Sequence, residues 1–379
     1  MTRSRRIIYV SGTRADFGLM QSTLQGIQAS PRLELGVVAT GMHLNERFGY
    51  TVSEIEAAGL PIIARIPVDL DQAGGAGTAK GIAAMLEGFV DAFADFAPDC
   101  IVVLGDRGEM LAAAIAGGHM SIPVVHIHGG ERSGTIDEPV RHAISKLAHY
   151  HLVATSESRE RLIRMGETGE TVHVVGAPGL DGLEKLASYD KSHLYSQLGL
   201  DDTKQTALLV YHPVLQESNR SGEQIQAILT ALLADDVSVL ALKPNSDAGS
   251  TLILQILEHH AALGEIILKT HLPRDQFASM LRYADVLIGN SSSGIIEAAT
   301  FGIPVVNIGS RQRLRQRNDN VIDTPAECSS VLEAMQQARA FGRRSYINVY
   351  GDGHAGQRII DVLENVALPG ELLNKVNAY

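Results

Sequence analysis

The chain has 379 residues, of which 45% are hydrophobic and 20% are charged, and its formal net charge is −11. This length is large for one hydrophobic core, so we expect two domains. The acidic balance argues against nucleic-acid and anionic-membrane partners, and no apolar stretch is long enough to cross a bilayer. The two cysteines, Cys100 and Cys328, lie far apart and predict no disulfide framework. These features predict a cytoplasmic protein, in which clustered arginines could still bind a small anion.

The first half of the chain alternates short apolar runs with amphipathic stretches, which is the pattern of βα units. We predict strands at 6–11, 33–39, 62–66, 101–104, 123–126, 150–154 and 171–175. Predicted helices cover 19–29, 78–96 and 138–148, a further helical pattern follows the strand at 101–104, and another helix begins at Ser156. Residues 1–176 are therefore expected to form a doubly wound α/β domain with a parallel sheet.

A glycine- and proline-rich stretch at 176–182 is the predicted linker, and the alternation restarts after it. Predicted strands of the second half are 206–211, 237–242, 265–268, 285–288 and, as the last clear strand, 304–308. Predicted helices are 222–233, one from Ser250, 273–283, one opening at the Asn-Ser-Ser-Ser-Gly run, 326–341 and 354–366. This pattern predicts a second α/β domain over residues 183–353.

Ionisable residues gather where two predicted strands of the first half end, in Gly-Asp-Arg-Gly-Glu and in His-Ile-His-Gly-Gly-Glu-Arg. Ligands of open α/β sheets bind beyond the carboxyl ends of the strands, so we expect one rim to carry these side chains. They are Asp106, Arg107, His126, His128, Glu131, Arg132, Asp137, Glu138, Arg141 and His142. So many ionisable groups predict that this rim is the catalytic side of the domain.

Two earlier strand ends reach the same rim, Gly-Thr-Arg-Ala-Asp at 12–16 and Thr-Gly-Met-His at 40–43. The first is neither a P-loop nor a Gly-x-Gly-x-x-Gly fingerprint. Arg14 could reach a phosphate, or it could be a surface arginine that caps a turn, and the residues leave both interpretations open.

The run Gly-Asn-Ser-Ser-Ser-Gly-Ile-Ile-Glu at 289–297 follows a strand and opens a helix. Serine hydroxyls and free amides at a helix start favour a diphosphate, whereas Glu297 could accept hydrogen bonds from ribose hydroxyls. A plain serine N-cap with an exposed glutamate remains the alternative. One or two of the four alternating arginines from Arg311 to Arg317 could neutralise the diphosphate, or this run could be a solvated face. His212, Asn245 and Asp247 also follow strands, so His212 could donate to a phosphate and the other two could line the same crevice, or all three could be structural loop residues.

Several of these motifs resemble the UDP-N-acetylglucosamine 2-epimerases, in particular the hydrolysing branch that feeds sialic-acid-type biosynthesis. They are Gly-Thr-Arg-Ala-Asp, Leu-Gly-Asp-Arg, Ile-His-Gly-Gly-Glu, Arg-His-Ala-Ile-Ser-Lys and Gly-Asn-Ser-Ser-Ser-Gly, and the resemblance runs from about residue 7 to 360. It implies a GT-B-like fold, with two Rossmann-like domains facing a central cleft. The sugar chemistry would lie on the first domain and UDP on the second, while residues from about 354 to 379 would pack back on the first. It also implies a homodimer or homotetramer that requires no cofactor and no metal.

The resemblance further implies roles for individual residues. Asp106, Asp137 and Arg141 stand at catalytic positions, and Arg14 and Arg107 at substrate-contact positions. UDP-binding positions are His212, Asn245, Asp247, His271, Ser291, Ser292, Glu297 and Arg311, and we add Asp16, His43, Ser293 and Gly294 from the same loops. Many relatives carry glutamate in place of His128, so His128, Glu131 or Asp137 would supply the acid/base group.

The activity implied is conversion of UDP-N-acetylglucosamine into N-acetylmannosamine and UDP, by anti elimination of UDP and addition of water to the resulting glycal. Alternatives are the same reaction on a 2,4-diacetamido-trideoxy sugar of the legionaminic type, a non-hydrolysing epimerase and a GT-B glycosyltransferase. A non-catalytic nucleotide-sugar sensor would bind UDP without turnover. A metal-dependent hydrolase would use His126 and His128, whose spacing predicts two imidazoles on one strand face.

Overall fold

The computed structural model of the protein describes residues 3–70, 75–133, 137–244, 249–368 and 374–378. The chain divides into two compact units. The first holds the described residues of Met1–Glu131, Asp137–Asp181 and Tyr350–Tyr379, and the second holds those of Arg132–Ile136 and Gly182–Val349. Each unit is an α/β sandwich built on one parallel sheet.

The strands of the first unit are β1 Arg5–Ser11, β2 Leu33–Thr40, β3 Ile62–Ile66, β4 Cys100–Leu104, β5 Val124–Ile127, β6 Tyr150–Val153 and β7 Val172–Val174. Those of the second are β8 Thr206–Val210, β9 Ser238–Leu242, β10 Ile267–Lys269, β11 Val286–Gly289, β12 Val305–Ile308 and β13 Val321–Thr324. The strand orders are β3-β2-β1-β4-β5-β6-β7 and β10-β9-β8-β11-β12-β13, and the pairings are parallel.

The α-helices of the first half are α1 Arg14–Ala29, α2 Val52–Ala57, α3 Gly75–Phe96, α4 Gly108–His119, α5 Asp137–Leu147 and α6 Ser156–Arg164. Those that follow are α7 Leu183–Leu186, α8 Lys191–Leu198, α9 Ser221–Ala234, α10 Ser250–Ala262, α11 Arg274–Tyr283, α12 Ser292–Ile296, α13 Cys328–Phe341 and α14 Ala355–Asn365. Short 3-10 turns lie at Gly41–Leu44, Glu46–Phe48, Gly169–Thr171, Pro178–Leu180, Leu215–Arg220 and Ala298–Phe301. None of the helices in the described part of the chain is long and apolar enough to span a membrane.

Both sheets are covered by helices on their two faces, which explains why their strands are almost continuously apolar. In β1, Ile7 and Tyr9 pack on one side with α1 and α14, while Ile8 and Val10 pack on the other with α3 and α4. In the second unit, alternate residues of β8 pack in the same way, with α9, α10 and α13 on one side and α8 and α11 on the other.

In each sheet the strand order reverses beside the first strand, between β1 and β4 and between β8 and β11. Loops that leave such neighbouring strands run in opposite directions and open a crevice at the carboxyl edge. Glycines allow these loops to approach closely. A Cβ on Gly12 would lie 2.3 Å from Glu109 Oε1, and one on Gly289, whose φ is +134°, would lie 2.0 Å from the Val210 carbonyl oxygen.

The structure corrects three parts of the sequence prediction. Helix α1 begins at Arg14 rather than at 19, because Thr13 and Asp16 form a capping box that starts it earlier. Strand β13 follows the strand predicted to be the last, and the prediction missed it because its four residues include Asp323 and Thr324 and lie at the sheet edge. The short helices α2, α7 and α8 were also missed, since they carry little periodic signal.

Candidate active site

The loop after β1 is held rigidly by buried polar groups. Asp16 accepts hydrogen bonds from the backbone amides of Gly12 (3.0 Å) and Thr13 (2.6 Å) and is almost fully buried. His43 lies between Ser11 Oγ and Thr51 Oγ1, at 2.9 Å from each, and burial lowers its pKa. These contacts place Asp16 and His43 behind the loop, where they fix its shape.

Arg14, the first residue of α1, is partly exposed, and its Nε lies 2.7 Å from Glu54 Oε1. Arg107 follows β4, is about half exposed and donates from Nε to Glu109 Oε1 at 2.8 Å. Both guanidinium groups therefore stand at the carboxyl edge of the first sheet on neighbouring strand ends, where each is paired with a glutamate.

The most deeply buried charge of this rim is Arg141, which is 1% exposed. Its guanidinium donates to the Asp106 carboxylate and to the backbone oxygen of Glu131, the latter at 3.0 Å. A buried cation must be paired, and here α5 supplies the cation while the loop after β4 supplies the anion. This ion pair joins the loops after β4 and β5 to one helix and leaves the Asp106 side chain 24% exposed.

His128 and Glu131 form a second pair, with Nδ1 of the imidazole 2.5 Å from Oε1 of the carboxylate. His128 adopts a φ of +63°, a strained backbone that tends to occur at functional sites. The next two residues must be glycine, because a Cβ on Gly130 would lie 2.5 Å from the Ser158 carbonyl oxygen, and one on Gly129 would lie 2.9 Å from His126 Nδ1. The turn therefore presents His128 and Glu131 as a unit.

The predicted two-histidine strand face is wrong, because β5 ends at Ile127 and His128 belongs to the turn. His126 is fully buried, and both of its ring nitrogens are used, Nε2 to the Gly105 carbonyl oxygen (2.7 Å) and Nδ1 to Ser145 Oγ (3.0 Å). Burial lowers its pKa to about 3. Among the residues that the structure describes, no group of three His, Cys, Asp or Glu side chains could hold a metal ion.

The remaining residues of the predicted rim lie on or beside α5. Asp137 is the first residue of this helix and is partly buried. Glu138 and His142 lie one turn apart, with Nε2 of His142 3.8 Å from Glu138 Oε1. Arg132 is exposed. The carboxyl edge of the first unit therefore carries ionisable groups from the loops after β4 and β5 and from α5.

In the second unit the loops after β8, β11 and β12 meet at Asn290, a residue that sequence reasoning missed. Its side-chain amide accepts from the backbone N–H of His212 and donates to the His212 carbonyl oxygen, both at 2.8 Å. The backbone carbonyl oxygen of Asn290 accepts from Arg311 Nη1 and Gln312 Nε2, both at 3.1 Å. The sequence feature that could have identified Asn290 is its position between Gly289 and the serines, because an asparagine beside a strand end can bridge two backbone segments.

The serine run lies where it was predicted, at the start of α12, although this helix has only five residues. Ser291 is the N-cap and accepts from the backbone N–H of Ser293 at 3.3 Å, while Ser293 Oγ donates to Ser291 Oγ at 2.9 Å. Ser292 is partly buried. Gly294 brings the helix close to the sheet, because a Cβ there would lie 2.9 Å from Val305 Cγ1.

The other predicted nucleotide residues differ in their surroundings. His212 is partly buried, and burial together with the nearby Arg311 lowers its pKa to about 3, so its imidazole is neutral at physiological pH. Glu297 is buried beside Arg274, whose guanidinium lies 2.7 Å away. His271 is exposed. Asn245 and Asp247 lie outside the described residues.

The arginine run is divided by function. Arg311 contacts Asn290, whereas Arg313 is exposed, and Arg317 pairs with Asp323 on β13. Arg311 therefore belongs to the strand-end loops, and Arg317 stabilises the edge strand β13. Glu109 and Arg274 are further charged residues that the prediction missed, because a lone glutamate or arginine near the start of a helix gives no distinctive signal.

A family model described as UDP-N-acetylglucosamine 2-epimerase matches residues 25–364 of the chain. A UDP-N,N'-diacetylbacillosamine 2-epimerase (hydrolyzing) from Legionella pneumophila is 48% identical over 375 residues, which are 99% of this chain and 100% of the relative. The chain belongs to the UDP-N-acetylglucosamine 2-epimerase family. Within the family it belongs to the hydrolysing branch, as the sequence motifs predicted.

A second member of the family, a UDP-N-acetylglucosamine 2-epimerase from Neisseria meningitidis serogroup B, is 32% identical over 365 residues, 95% of each chain. A crystal structure of a UDP-GlcNAc 2-epimerase from Neisseria meningitidis bound to UDP-GlcNAc aligns with a TM-score of 0.80. That alignment has 19% identity and covers 94% of this chain and 99% of the other. It confirms the predicted GT-B-like α/β fold class.

Proposed function

We propose that the protein is a hydrolysing 2-epimerase of UDP-N,N'-diacetylbacillosamine, which releases UDP and the free 2-epimeric sugar. The observation that carries this proposal is the 48% identity, over the full length of both chains, to the Legionella pneumophila enzyme of that name. The corresponding identity to the UDP-N-acetylglucosamine 2-epimerase from Neisseria meningitidis is 32%. The diacetamido sugar was an alternative on sequence grounds, and this difference in identity favours it.

The proposed reaction has two balanced steps. In the first, a base takes the C2 proton while the C1–O bond breaks, and UDP leaves with the bonding electrons to give a glycal. In the second, water adds to C1 and a proton is returned to C2 from the opposite face. Because the C2 proton is not adjacent to a carbonyl, departure of the anionic UDP leads, and C1 gains oxocarbenium character. The site must therefore stabilise a cation at C1 and an anion at the diphosphate.

We assign the base to His128. A carboxylate that accepts from Nδ1–H fixes the imidazole tautomer and leaves Nε2 free to accept a proton, which is the relation of His128 to Glu131. Asp106 and Asp137 are the groups to stabilise C1 and to return the proton. Arg141 is a positioning residue, since its guanidinium is buried and directed at Asp106 and the Glu131 backbone.

UDP would bind at the second unit. The hydroxyls of Ser291 and Ser292 and the first amides of α12 are neutral donors for a diphosphate, Ser293 orients Ser291 through its hydroxyl, and Arg311 adds charge. His212, His271, Gly294 and Glu297 would complete the nucleotide side, and we propose Arg14 and Arg107 as further substrate contacts. Since every step uses side chains of the protein, we propose that no cofactor or metal is required.

The test incubates the purified protein separately with UDP-N,N'-diacetylbacillosamine and with UDP-N-acetylglucosamine in ¹⁸O-labelled water and in D₂O. We expect a kcat/KM at least tenfold higher for the first substrate, ¹⁸O at C1 of the free sugar, unlabelled UDP and deuterium at C2. A product that keeps its nucleotide would indicate a non-hydrolysing epimerase. Turnover only with a sugar acceptor would indicate a glycosyltransferase, and UDP binding without turnover would indicate a sensor.

UDP-N-acetylglucosamine is the second candidate substrate, favoured by the 32% identity with the enzyme from Neisseria meningitidis over 95% of each chain. The same assay decides between the two sugars, because the ratio of their kcat/KM values would be reversed. We further propose a homodimer or homotetramer, which light scattering of the purified protein would reveal as twice or four times the mass of one chain.

A further inference from the structure

A cluster of charges outside the strand-end loops is centred on Glu167, whose side chain is 1% exposed. Three cationic or neutral donors contact its carboxylate: Lys146 Nζ at 2.6 Å, Lys375 Nζ at 2.6 Å and His151 Nε2 at 2.9 Å. Burial alone would raise the pKa of Glu167, but these hydrogen bonds outweigh it and lower the pKa to about 2. The carboxylate is therefore ionised throughout the physiological range.

Two of the donors connect this carboxylate to residues 374–378 near the end of the chain. Lys375 reaches Glu167 directly, and Lys146 also donates to Asn377 Oδ1 at 2.6 Å. The backbone N–H of Ala378 donates to the Gly166 carbonyl oxygen at 2.8 Å. Three contacts therefore hold residues 374–378 on the first unit. Lys375 reaches out from the segment to Glu167, Lys146 reaches in to Asn377, and one backbone hydrogen bond joins Ala378 to Gly166.

Lys375 also caps α5. Its ammonium donates to the carbonyl oxygens of Ser145 at 3.0 Å and of Ala148 at 2.6 Å, in and just beyond the last turn of the helix. These carbonyls have no partner within the helix, and a cation at a helix C-terminus is stabilised by the helix dipole. Glu167, two carbonyls and Lys375 together fix the position of this end of α5.

Two residues of α5 connect this helix to the site. Ser145 Oγ contacts His126 Nδ1, and His126 Nε2 donates to the carbonyl oxygen of Gly105, the residue before Asp106. One turn earlier on α5, Arg141 holds the Asp106 carboxylate. Asp106 is therefore fixed through its backbone and through its side chain. One connection begins at Ser145, whose carbonyl oxygen Lys375 holds, and the other begins at Arg141, one turn earlier.

We propose that Lys375 is a positioning residue for the epimerase reaction. From the C-terminal segment it fixes the position of α5, and α5 in turn fixes the position of the Asp106 carboxylate. The predicted effect on kcat rests on the proposed function, whereas the predicted effect on the position of α5 does not. Displacing a catalytic group by about 1 Å can cost roughly a hundredfold in rate, so loss of this contact should lower kcat and leave substrate binding little changed.

The test compares Lys375→Met, which keeps the stem and removes the cation, with Lys375→Arg and with the control Val376→Ala. Val376 is 76% exposed on the same segment. We expect Lys375→Met to lower kcat roughly tenfold to a hundredfold with KM within twofold, Lys375→Arg to recover part of that loss, and Val376→Ala to match the unmodified enzyme. A kcat within twofold for Lys375→Met, equal losses in Met and Arg variants, or a loss confined to KM would overturn the proposal.

Hydrogen exchange of the α5 amides separates this proposal from the proposed function. We expect faster exchange across Asp137–Leu147 in Lys375→Met than in Val376→Ala, whatever the substrate. Unchanged α5 exchange would overturn the positioning role even if the enzyme is an epimerase. Absence of turnover on every UDP-sugar, with faster α5 exchange in Lys375→Met, would instead refute the proposed function and leave the contact established.

Discussion

At the carboxyl edge of the first unit an ion pair and an imidazole–carboxylate pair hold the polar groups, whereas in the second unit an asparagine and serine hydroxyls hold the loops that follow the strands. In the first unit Arg141 pairs with Asp106 and His128 pairs with Glu131. In the second unit Asn290 bridges two loops through backbone atoms, and Ser291 caps a short helix. Two sheets of the same topology therefore carry two kinds of site.

The difference follows from what each site would have to do. Fixed, partly desolvated charges can exchange protons and stabilise a cation that exists only in the transition state. Hydroxyls and amides bind a diphosphate in the ground state without a strongly changing charge. We therefore expect changes in the first unit to alter kcat and changes in the second to alter UDP affinity.

The largest expected effect comes from Asp106→Asn, which keeps the shape of the side chain and removes its charge. Turnover should fall by at least about a thousandfold, since this group would stabilise the C1 cation, while the Kd for UDP stays within about threefold. Steady-state UDP release and calorimetric titration of UDP measure the two. Asp95→Asn, an exposed position on α3, is the matched control. An equal loss of UDP affinity would break the comparison between the two units.

A second prediction concerns the buried neutral His126. Its pKa is lowered to about 3, so between pH 7 and pH 5 the unfolded chain binds a proton at this residue that the folded chain does not. The contribution of His126 to the free energy of unfolding is therefore fully present above the pKa of histidine in the unfolded chain and declines as the pH falls. Between pH 7 and pH 5 this residue should lower the free energy of unfolding by about 2 kcal/mol.

Urea unfolding at pH 7 and pH 5 measures this decline. His126→Gln, whose amide can still donate to the Gly105 carbonyl oxygen, should be less stable at pH 7 and should show a decline smaller by about 2 kcal/mol. His119→Gln, at an exposed position, should retain the full decline. If the slope is the same in both variants, His126 does not carry the pH dependence.

In the second unit Arg311→Met should weaken UDP binding about tenfold with kcat nearly unchanged, because a charge-assisted hydrogen bond to a phosphate contributes roughly 1.5–3 kcal/mol. Arg313→Met is a close control, since Arg313 lies on the same stretch but is exposed. The Kd for UDP and the KM for the UDP-sugar should change together. Equal effects of the two variants would contradict a specific role for Arg311.

The smallest expected effect is that of Ser291→Ala. It removes the N-cap of α12 and one hydroxyl of the diphosphate site, so we expect a loss of about 1 kcal/mol in stability and a few-fold weaker UDP binding. Thermal unfolding with and without UDP measures both. A change in kcat without a change in Kd would place the serine in the chemistry rather than in binding.

Much of the fold was accessible from the sequence because buried parallel strands read as apolar runs that end in glycine. The elements that were missed, β13, α2, α7 and α8, are short or lie at edges, where few residues face the core and the pattern is weak. Asp106 and His128 could be proposed as site residues from the sequence because they follow strand ends. Asn290 and Lys375 were not, because their roles depend on partners 78 and 230 residues away.

The sequence by itself determined the α/β class, the succession of strands and the loops in which polar residues collect, because these depend on local periodicity and on turn residues. The tertiary structure decided which of these residues are paired and which are exposed. The burial of Arg141 against Asp106, the strained turn that joins His128 to Glu131 and the contact of Lys375 with α5 are examples. The Arg141 and Lys375 contacts need residues distant in the chain to meet, and the turn at His128 lies against Ser158 of α6. Hydrophobic packing of the helices on the sheet brings these parts of the chain together.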